Sequence, residues 1–350
     1  MLLRLLIFIT GGSLVLLAVF SAIKSFVMPR AMQDELARFV FNSLRKQFAL
    51  VLKKRPGYAN RDRLLAYFAP LGLLLMVPTW YLLILLGYTG MYWALNLASW
   101  FAAFRESGSS LFTLGFSAGD GLGFLLLAFS EAGFGLMLVA LLIAYLPTMY
   151  AAFSRREVAV TKLDVRAGNP PSSVEMLKRF HRIQGLNRLQ MEWEGWETWF
   201  AEIEESHTSL AALVFFRSPL PEHSWVNAAG TVLDAAALRQ SVLDLPIEPT
   251  ASLSLRAGYL ALRHISNFFG IKYNPDPKPG DPISITRSQF QAANRELDRA
   301  GLPMKANLEQ AWRDFSGWRV NYDALLVPLA RLTNAPPAFW LLTENDIETR

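Results

Sequence analysis

Residues 91–121 read MYWALNLASWFAAFRESGSSLFTLGFSAGDG and lie between two long apolar runs of the 350-residue chain. The stretch is apolar and aromatic, but it is too short to cross a bilayer twice, because one helical crossing takes about 20 residues. Irregular backbone is tolerated at membrane depth only where it is buried in protein or lines water. The stretch therefore predicts a short helix that enters the membrane, stops, and returns as an extended glycine-containing segment.

Three apolar runs, the second of which extends into this stretch, predict three transmembrane helices. Leu5–Ile23 and Leu64–Phe104 contain no charged residue, and Leu122–Phe153 contains only Glu131. The middle run is longer than one span, so it predicts a full crossing followed by a shorter helix. A cleaved signal peptide is the alternative for the first run, but its apolar core is long and no clear small-residue cleavage site precedes Lys24.

Composition and charge indicate an integral membrane protein, so the lipid bilayer is an expected partner. Hydrophobic residues make up 52% of the chain and charged residues 18%. The absence of cysteine excludes disulfides and thiolate metal sites, and four scattered histidines leave little for a histidine-based metal centre. A net charge of only +5 gives no reason to expect nucleic acid as a partner.

The distribution of positive charge predicts the orientation. Residues 28–63 contain nine Lys or Arg against three acidic residues, which is typical of a cytoplasmic loop. We therefore expect a multi-pass protein of the inner (plasma) membrane, with the N-terminus outside and everything after Tyr150 inside. Within this loop, apolar residues repeat every four positions. They predict an amphipathic helix that lies in the membrane interface or packs against a cytosolic domain: Leu36, Val40, Leu44, Phe48 and Leu52.

A family resemblance rests on Thr113-Leu114-Gly115-Phe116, on the half-helix and span before it, and on the long helix after it. This arrangement resembles the two-span pore module of the potassium channel superfamily, whose filter reads T-V-G-Y-G. Leu125–Phe153, with Glu131 and Gly133, is similar to the inner helix of that family. The resemblance implies a homotetramer in which Thr113–Ser117 form the selectivity filter and a monovalent cation, K⁺ or Na⁺, is the permeant ion.

The chain departs from the family at the end of the filter, where Ser117 replaces glycine and the following acid is displaced to Asp120 by Ala118-Gly119. A residue with a β-carbon in a left-handed conformation costs roughly 1–2 kcal/mol, so the replacement predicts a weakened preference for potassium. Arg105-Glu106 is an unusual charged pair, whose members cannot face each other on one helix.

Three residues of the expected inner helix have alternative interpretations. Glu131 is a functional candidate by its depth, or it accepts a hydrogen bond from the back of the pore helix. Gly133 and Gly135 hinge the helix in gating, or they allow close helix packing.

Residues 154–350 predict an all-α cytosolic domain, which follows a first transmembrane helix (1–27), a basic linker (28–63) and the pore module (64–153). Ser172-x-x-Glu175 is a capping box, and no glycine-rich nucleotide fingerprint follows a strand. One helix face carries Trp193, Trp196, Phe200 and Ile203.

Polar residues in this domain suggest either a ligand pocket or a buried structural network: Glu205, His207, Arg217 and Asp234. The acidic stretch from Glu192 to Glu205 similarly suggests a divalent cation site or a solvated helix face.

Together these features predict a tetrameric cation channel with weakened selectivity that the cytosolic domain gates or assembles. The alternative is a non-conducting membrane-anchored sensor or scaffold whose cytosolic domain binds a ligand or partner. An enzyme with a site in residues 190–240 is the least favoured hypothesis, and we expect neither catalysis nor a cofactor.

Overall fold

The computed structural model describes residues 1–28, 34–53, 55, 57–96, 99–117 and 119–337. Across these ranges the chain forms α-helices and short 3-10 turns, and no β-strand is present in them. The all-α prediction is therefore confirmed. Ala118 of the filter region lies outside the described residues, as do parts of the predicted linker and the last residues of the predicted cytosolic domain.

The helices are numbered in chain order. Their bounds are α1 Leu2–Phe26, α2 Glu35–Leu52, α3 Tyr58–Leu65, α4 Phe68–Ala94, α5 Trp100–Leu111, α6 Leu122–Ala167, α7 Ser173–Arg182, α8 Leu189–Ser209, α9 Trp225–Val242, α10 Pro249–Phe268, α11 Arg287–Arg299 and α12 Leu308–Thr333.

Three helical segments of the described chain are long and apolar enough to cross a membrane, as the sequence predicts. They are α1, the segment Tyr58–Ala94 that contains α3 and α4, and α6. The long middle run resolves into α4 and the separate, shorter α5. Length and apolar composition thus mark the chain as an integral membrane protein.

The chain divides into two compact units. One contains Met1–Pro56 and Leu64–Ala151, and the other contains Gly57–Arg63 and Ala152–Arg350. Most of α3 thus belongs to the second unit, although it lies in the sequence between two helices of the first.

In the first unit, α1 and α4 approach each other closely through glycines. A β-carbon on Gly11 would lie 2.4 Å from the carbonyl oxygen of Gly87, and one on Gly87 would lie 2.6 Å from that of Gly11. Small residues of this kind let helix backbones approach closely. Inside a bilayer such packing matters, because lipid tails are as apolar as the side chains and the hydrophobic effect does not drive helices together. Nearer the C-terminal end of α1, Trp80 Nε1 donates to Ser21 Oγ at 2.8 Å.

Helix α2 packs its predicted apolar stripe against the start of α4. Val40 and Leu44 are buried, and the ring of Phe48 lies 5.5 Å from that of Phe68. The Asp34 carboxylate caps the helix by accepting from Ala37 N at 3.1 Å. The stripe therefore serves packing within the first unit.

The second unit is built around α9, which is buried on nearly every side. Most residues of such a helix are apolar or small on every side, so its sequence shows no amphipathic pattern. The predicted aromatic face of α8 is confirmed, since Trp193, Trp196, Phe200 and Ile203 are all buried in this core. Of the capping box predicted for α7, the first half is present, with Ser172 Oγ accepting from Glu175 N at 3.3 Å. The second half is not formed, because Ser172 N donates to Ala167 O and the Glu175 carboxylate accepts from Arg179.

Candidate functional site

Helix α5 ends in a tight C-terminal cap at the start of the predicted filter. Leu114 N donates to Ser109 O at 2.8 Å, and Thr113 N donates to Ser110 O at 3.0 Å. Thr113 itself has a φ of 54°. This is the hydrogen-bond pattern of a Schellman motif, with threonine in the left-handed position that glycine usually takes. The cap stops the helix and turns the chain sharply at Thr113.

After the cap, the chain folds back along α5 and is fastened to it. The Ser109 hydroxyl accepts from Ser117 N at 3.0 Å and donates to Ser117 O at 3.3 Å. The buried Glu106 carboxylate accepts from Ser117 Oγ at 2.7 Å and from Gly119 N at 3.2 Å. Four bonds from two helix side chains thus hold the end of the predicted filter against the helix.

The backbone of this loop corrects one expectation. Gly115 has a φ of 69°, whereas Ser117 is not among the residues with positive φ. The left-handed strain that the replacement of glycine by Ser117 suggested is therefore absent, because the serine adopts an ordinary conformation. Its carbonyl instead accepts from Ser109, and its hydroxyl donates to Glu106.

The middle of the loop projects from the single chain. Leu114 and Phe116 are each 62% exposed, and Thr113 and Gly115 are exposed as well. Phe112, before them, stacks on Tyr81 of α4 at a ring separation of 5.4 Å. The segment is thus anchored at both ends and uncovered in between.

Behind α5, the buried Glu131 of α6 accepts from Ser107 Oγ at 2.5 Å. The same hydroxyl also lies 3.1 Å from Leu85 O of α4. Glu131 therefore contacts the back of α5, which is the second of the two interpretations that the sequence leaves open.

The two candidate hinge glycines have different surroundings. A β-carbon on Gly135 would lie 2.4 Å from the carbonyl oxygen of Leu111, the last residue of α5, whereas one on Gly133 would meet nothing within 4 Å. Tyr81 also donates to Gly135 O at 2.8 Å. Gly135 is thus a packing glycine that seats the end of α5 on α6, and Gly133 faces open space.

Sequence reasoning singled out Glu106 only as part of an odd charged pair, and it missed Ser109. An acidic residue within an apolar stretch is the one signal that pointed to Glu106, because such groups are normally paired. Nothing in the local sequence distinguishes Ser109 from its neighbours Ser107 and Ser110.

In the second unit, the four polar residues that the sequence suggested as one pocket or network have separate surroundings: Glu205, His207, Arg217 and Asp234. His207 is fully buried, with Nε2 3.4 Å from Arg156 Nη1 and Nδ1 3.1 Å from Ser206 Oγ. Burial, and then the positive charge of Arg156, lower the pKa of His207 well below its usual 6.5. His207 is therefore a neutral buried imidazole, and the nearby Glu205 is exposed.

Arg217 connects α3 to the end of α12. Its guanidinium forms an ion pair with Asp62 and a hydrogen bond to the Tyr58 hydroxyl. It also donates to the carbonyl oxygens of Thr333, at 2.5 Å, and Asn334, at 2.9 Å. A cation at a helix C-terminus is favourable, because the helix dipole places negative charge there.

Asp234 lies in a third group of polar residues, where it pairs with the buried Arg319 and accepts from the Tyr322 hydroxyl at 2.9 Å. Burial raises the pKa of Asp234, and the charge of Arg319 opposes that effect. Arg319 is bound on its other side by Asp323, with Nε 2.7 Å from Oδ1. This arrangement of fully partnered groups joins α9 to α12.

The acidic stretch of α8 is divided among different partners. Glu192 pairs with Arg166 at 2.6 Å and Glu204 with His264 at 2.6 Å. Among the residues that the structure describes, no three His, Asp or Glu side chains are grouped so that they could hold a metal ion.

Comparison of the chain with known protein families, with curated proteins and with solved structures found no match.

Proposed function

We propose that this protein is a cation channel in which four copies surround a pore lined by Thr113–Ser117. The observation that carries the proposal is the return of the chain along α5 after the cap at Thr113, held by Ser109 and Glu106. A helix that stops abruptly and a loop fastened back against it suit a pore loop, since irregular backbone at membrane depth must be covered or line water.

The uncovered middle of the loop supplies the ligands. In a ring of four copies, the Thr113 hydroxyl and the carbonyls of Leu114, Gly115 and Phe116 would replace part of the hydration shell of a cation. The apolar side chains of Leu114 and Phe116, exposed in one chain, would then be covered by neighbouring copies.

The bonds of Ser117 favour a pore with weakened discrimination. Its carbonyl accepts from Ser109 and so is directed toward α5, which removes one ring of oxygens from the proposed axis. Fewer consecutive dehydrating sites discriminate potassium from sodium less strongly. Weakened selectivity thus follows from hydrogen bonding at Ser117.

Cation flux into liposomes that contain the purified full chain tests the proposal. We expect K⁺ and Na⁺ flux from the wild type and a loss of flux in Gly115→Val, because a branched residue at a φ of 69° forces the loop to rearrange. A β-carbon at this position has no neighbour within 4 Å, so the fold should survive, as thermal unfolding will verify. Flux that is unchanged in Gly115→Val would contradict the proposal.

A groove in the second unit favours the alternative function, a membrane-anchored sensor. It has a volume of about 430 Å³ and is lined by parts of α6 and α8, including Trp199. The buried indole Nε1 of Trp199 has no hydrogen-bond partner among the residues that the structure describes. A purified chain that is monomeric and passes no cation would favour the sensor over the channel.

A further inference from the structure

Two charged side chains of the first unit, Arg105 on α5 and Asp120 after the loop, are exposed. Neither makes an ion pair or a hydrogen bond with any residue that the structure describes. In the pore loop proposed above, these residues lie close to the bilayer, where charged side chains are costly and normally pair with one another. Arg105 and Asp120 are therefore expected to have partners outside the single chain.

The contacts of Glu106 place these two charged residues beside one contact between α5 and the loop. Gly119 N donates to Glu106 Oε1 at 3.2 Å, so the residue after Gly119 and the residue before Glu106 are both next to this contact. Successive helix residues point about 100° apart, so Arg105 projects to a different side of α5 than Glu106 does. Arg105 and Asp120 thus both adjoin this one contact, and Arg105 projects away from the side of α5 that makes it.

Rotation about a common axis leaves the position of every group along that axis unchanged. In a ring of copies, one side of each copy contacts the opposite side of the next copy. We propose that Arg105 of one copy forms an ion pair with Asp120 of the adjacent copy, four times around the ring. The inference rests on the proposed tetramer. It assigns the face that carries Arg105, with the exposed Phe101 and Phe104, to a second copy of this chain.

Cross-linking tests this pairing directly, because the natural chain has no cysteine. Full-length Arg105→Cys and Asp120→Cys chains carrying different tags are expressed together, and their membranes are treated with a bis-maleimide about as long as an Arg–Asp pair. We expect a linked product that contains both tags. The matched control is Phe101→Cys with Asp120→Cys, because Phe101 is also exposed but lies about 6 Å from Arg105 along the helix. A yield in the control as high as in the test pair would overturn the inference.

Charge reversal provides the second measurement. We expect Arg105→Asp and Asp120→Arg each to lower the ratio of tetramer to dissociated chain in detergent by about tenfold, which corresponds to about 1.4 kcal/mol. The double variant should restore the ratio, because it recreates the pair with the charges exchanged. A double variant no more tetrameric than either single one would overturn the ion pair, even if both single variants fold poorly.

Flux through the same preparations separates this inference from the proposed function. A conducting tetramer in which the two tags never become linked would overturn the ion pair and leave the channel. Linked chains that pass no cation would support the ion pair and contradict the channel.

Discussion

Ser109 couples the loop to α5 through both its backbone and its side chain, in addition to the bonds that Glu106 makes. Its backbone carbonyl accepts from Leu114, and its hydroxyl bonds both the N–H and the carbonyl of Ser117. One side chain thereby fixes the direction of the last carbonyl in the proposed filter. The selectivity of the proposed pore should therefore depend on this hydroxyl.

We expect Ser109→Ala to increase the preference for potassium over sodium, because it frees the Ser117 carbonyl to face the axis. The matched control is Ser117→Ala, which removes the hydroxyl bond to Glu106 but leaves the bonds to Ser109. Reversal potentials under bi-ionic potassium and sodium measure both variants. A Ser109→Ala channel no more selective than wild type would show that the direction of this carbonyl does not set selectivity.

Thr113 illustrates what the sequence cannot reveal at this scale. Helix C-caps of this type usually place glycine in the left-handed position, so threonine there carries no signal for a cap. Gly115 has a φ of 69°, a conformation that favours glycine. The expectation of such a conformation at Ser117 was wrong, because that inference required the path of the backbone and its partners on α5.

At the scale of helices, the fit of α5 on α6 depends on Gly135. We expect Gly135→Ala to lower the melting temperature, because its β-carbon would lie 2.4 Å from Leu111 O and backbone cannot move aside as a side chain can. Overpacking of this kind typically costs about 1–3 kcal/mol. Gly133→Ala is the matched control and should be neutral or slightly stabilising, because alanine favours helix and meets no neighbour there. Equal melting temperatures for the two variants would contradict the packing role of Gly135.

The helices themselves were largely predictable where their composition is extreme. The spans follow from long apolar runs with at most one charged residue, and the buried face of α8 follows from the spacing of Trp193, Trp196, Phe200 and Ile203. The partners of the polar residues were not predictable, because they are distant in sequence. Asp234 and Arg319 are separated by 85 positions, and Arg217 and Asp62 by 155.

For the molecule as a whole, the buried His207 should make stability depend on pH. Its pKa is lowered by burial and by Arg156, so below pH 6.5 the unfolded chain takes up a proton that the folded chain does not. The contribution of His207 to stability is therefore complete above pH 6.5 and declines as the pH falls toward the lowered pKa.

We expect His207→Gln, which cannot titrate, to reduce the decrease in melting temperature between about pH 7.5 and pH 5.5. A wild-type profile that is flat over this range, or one unaffected by His207→Gln, would contradict the assignment.

The central claim is that Thr113–Ser117 line a permeation path, and the absence of natural cysteine allows a direct test. In planar bilayers, a cationic thiol reagent should block the current of a Thr113→Cys channel, because a charged group would then occupy the narrowest part of the pore. The same reagent should leave the wild type and Ser288→Cys unchanged, since the first has no thiol and the second has one on the exposed start of α11. A Thr113→Cys current that persists after complete modification would show that cations pass elsewhere, and the account would be wrong.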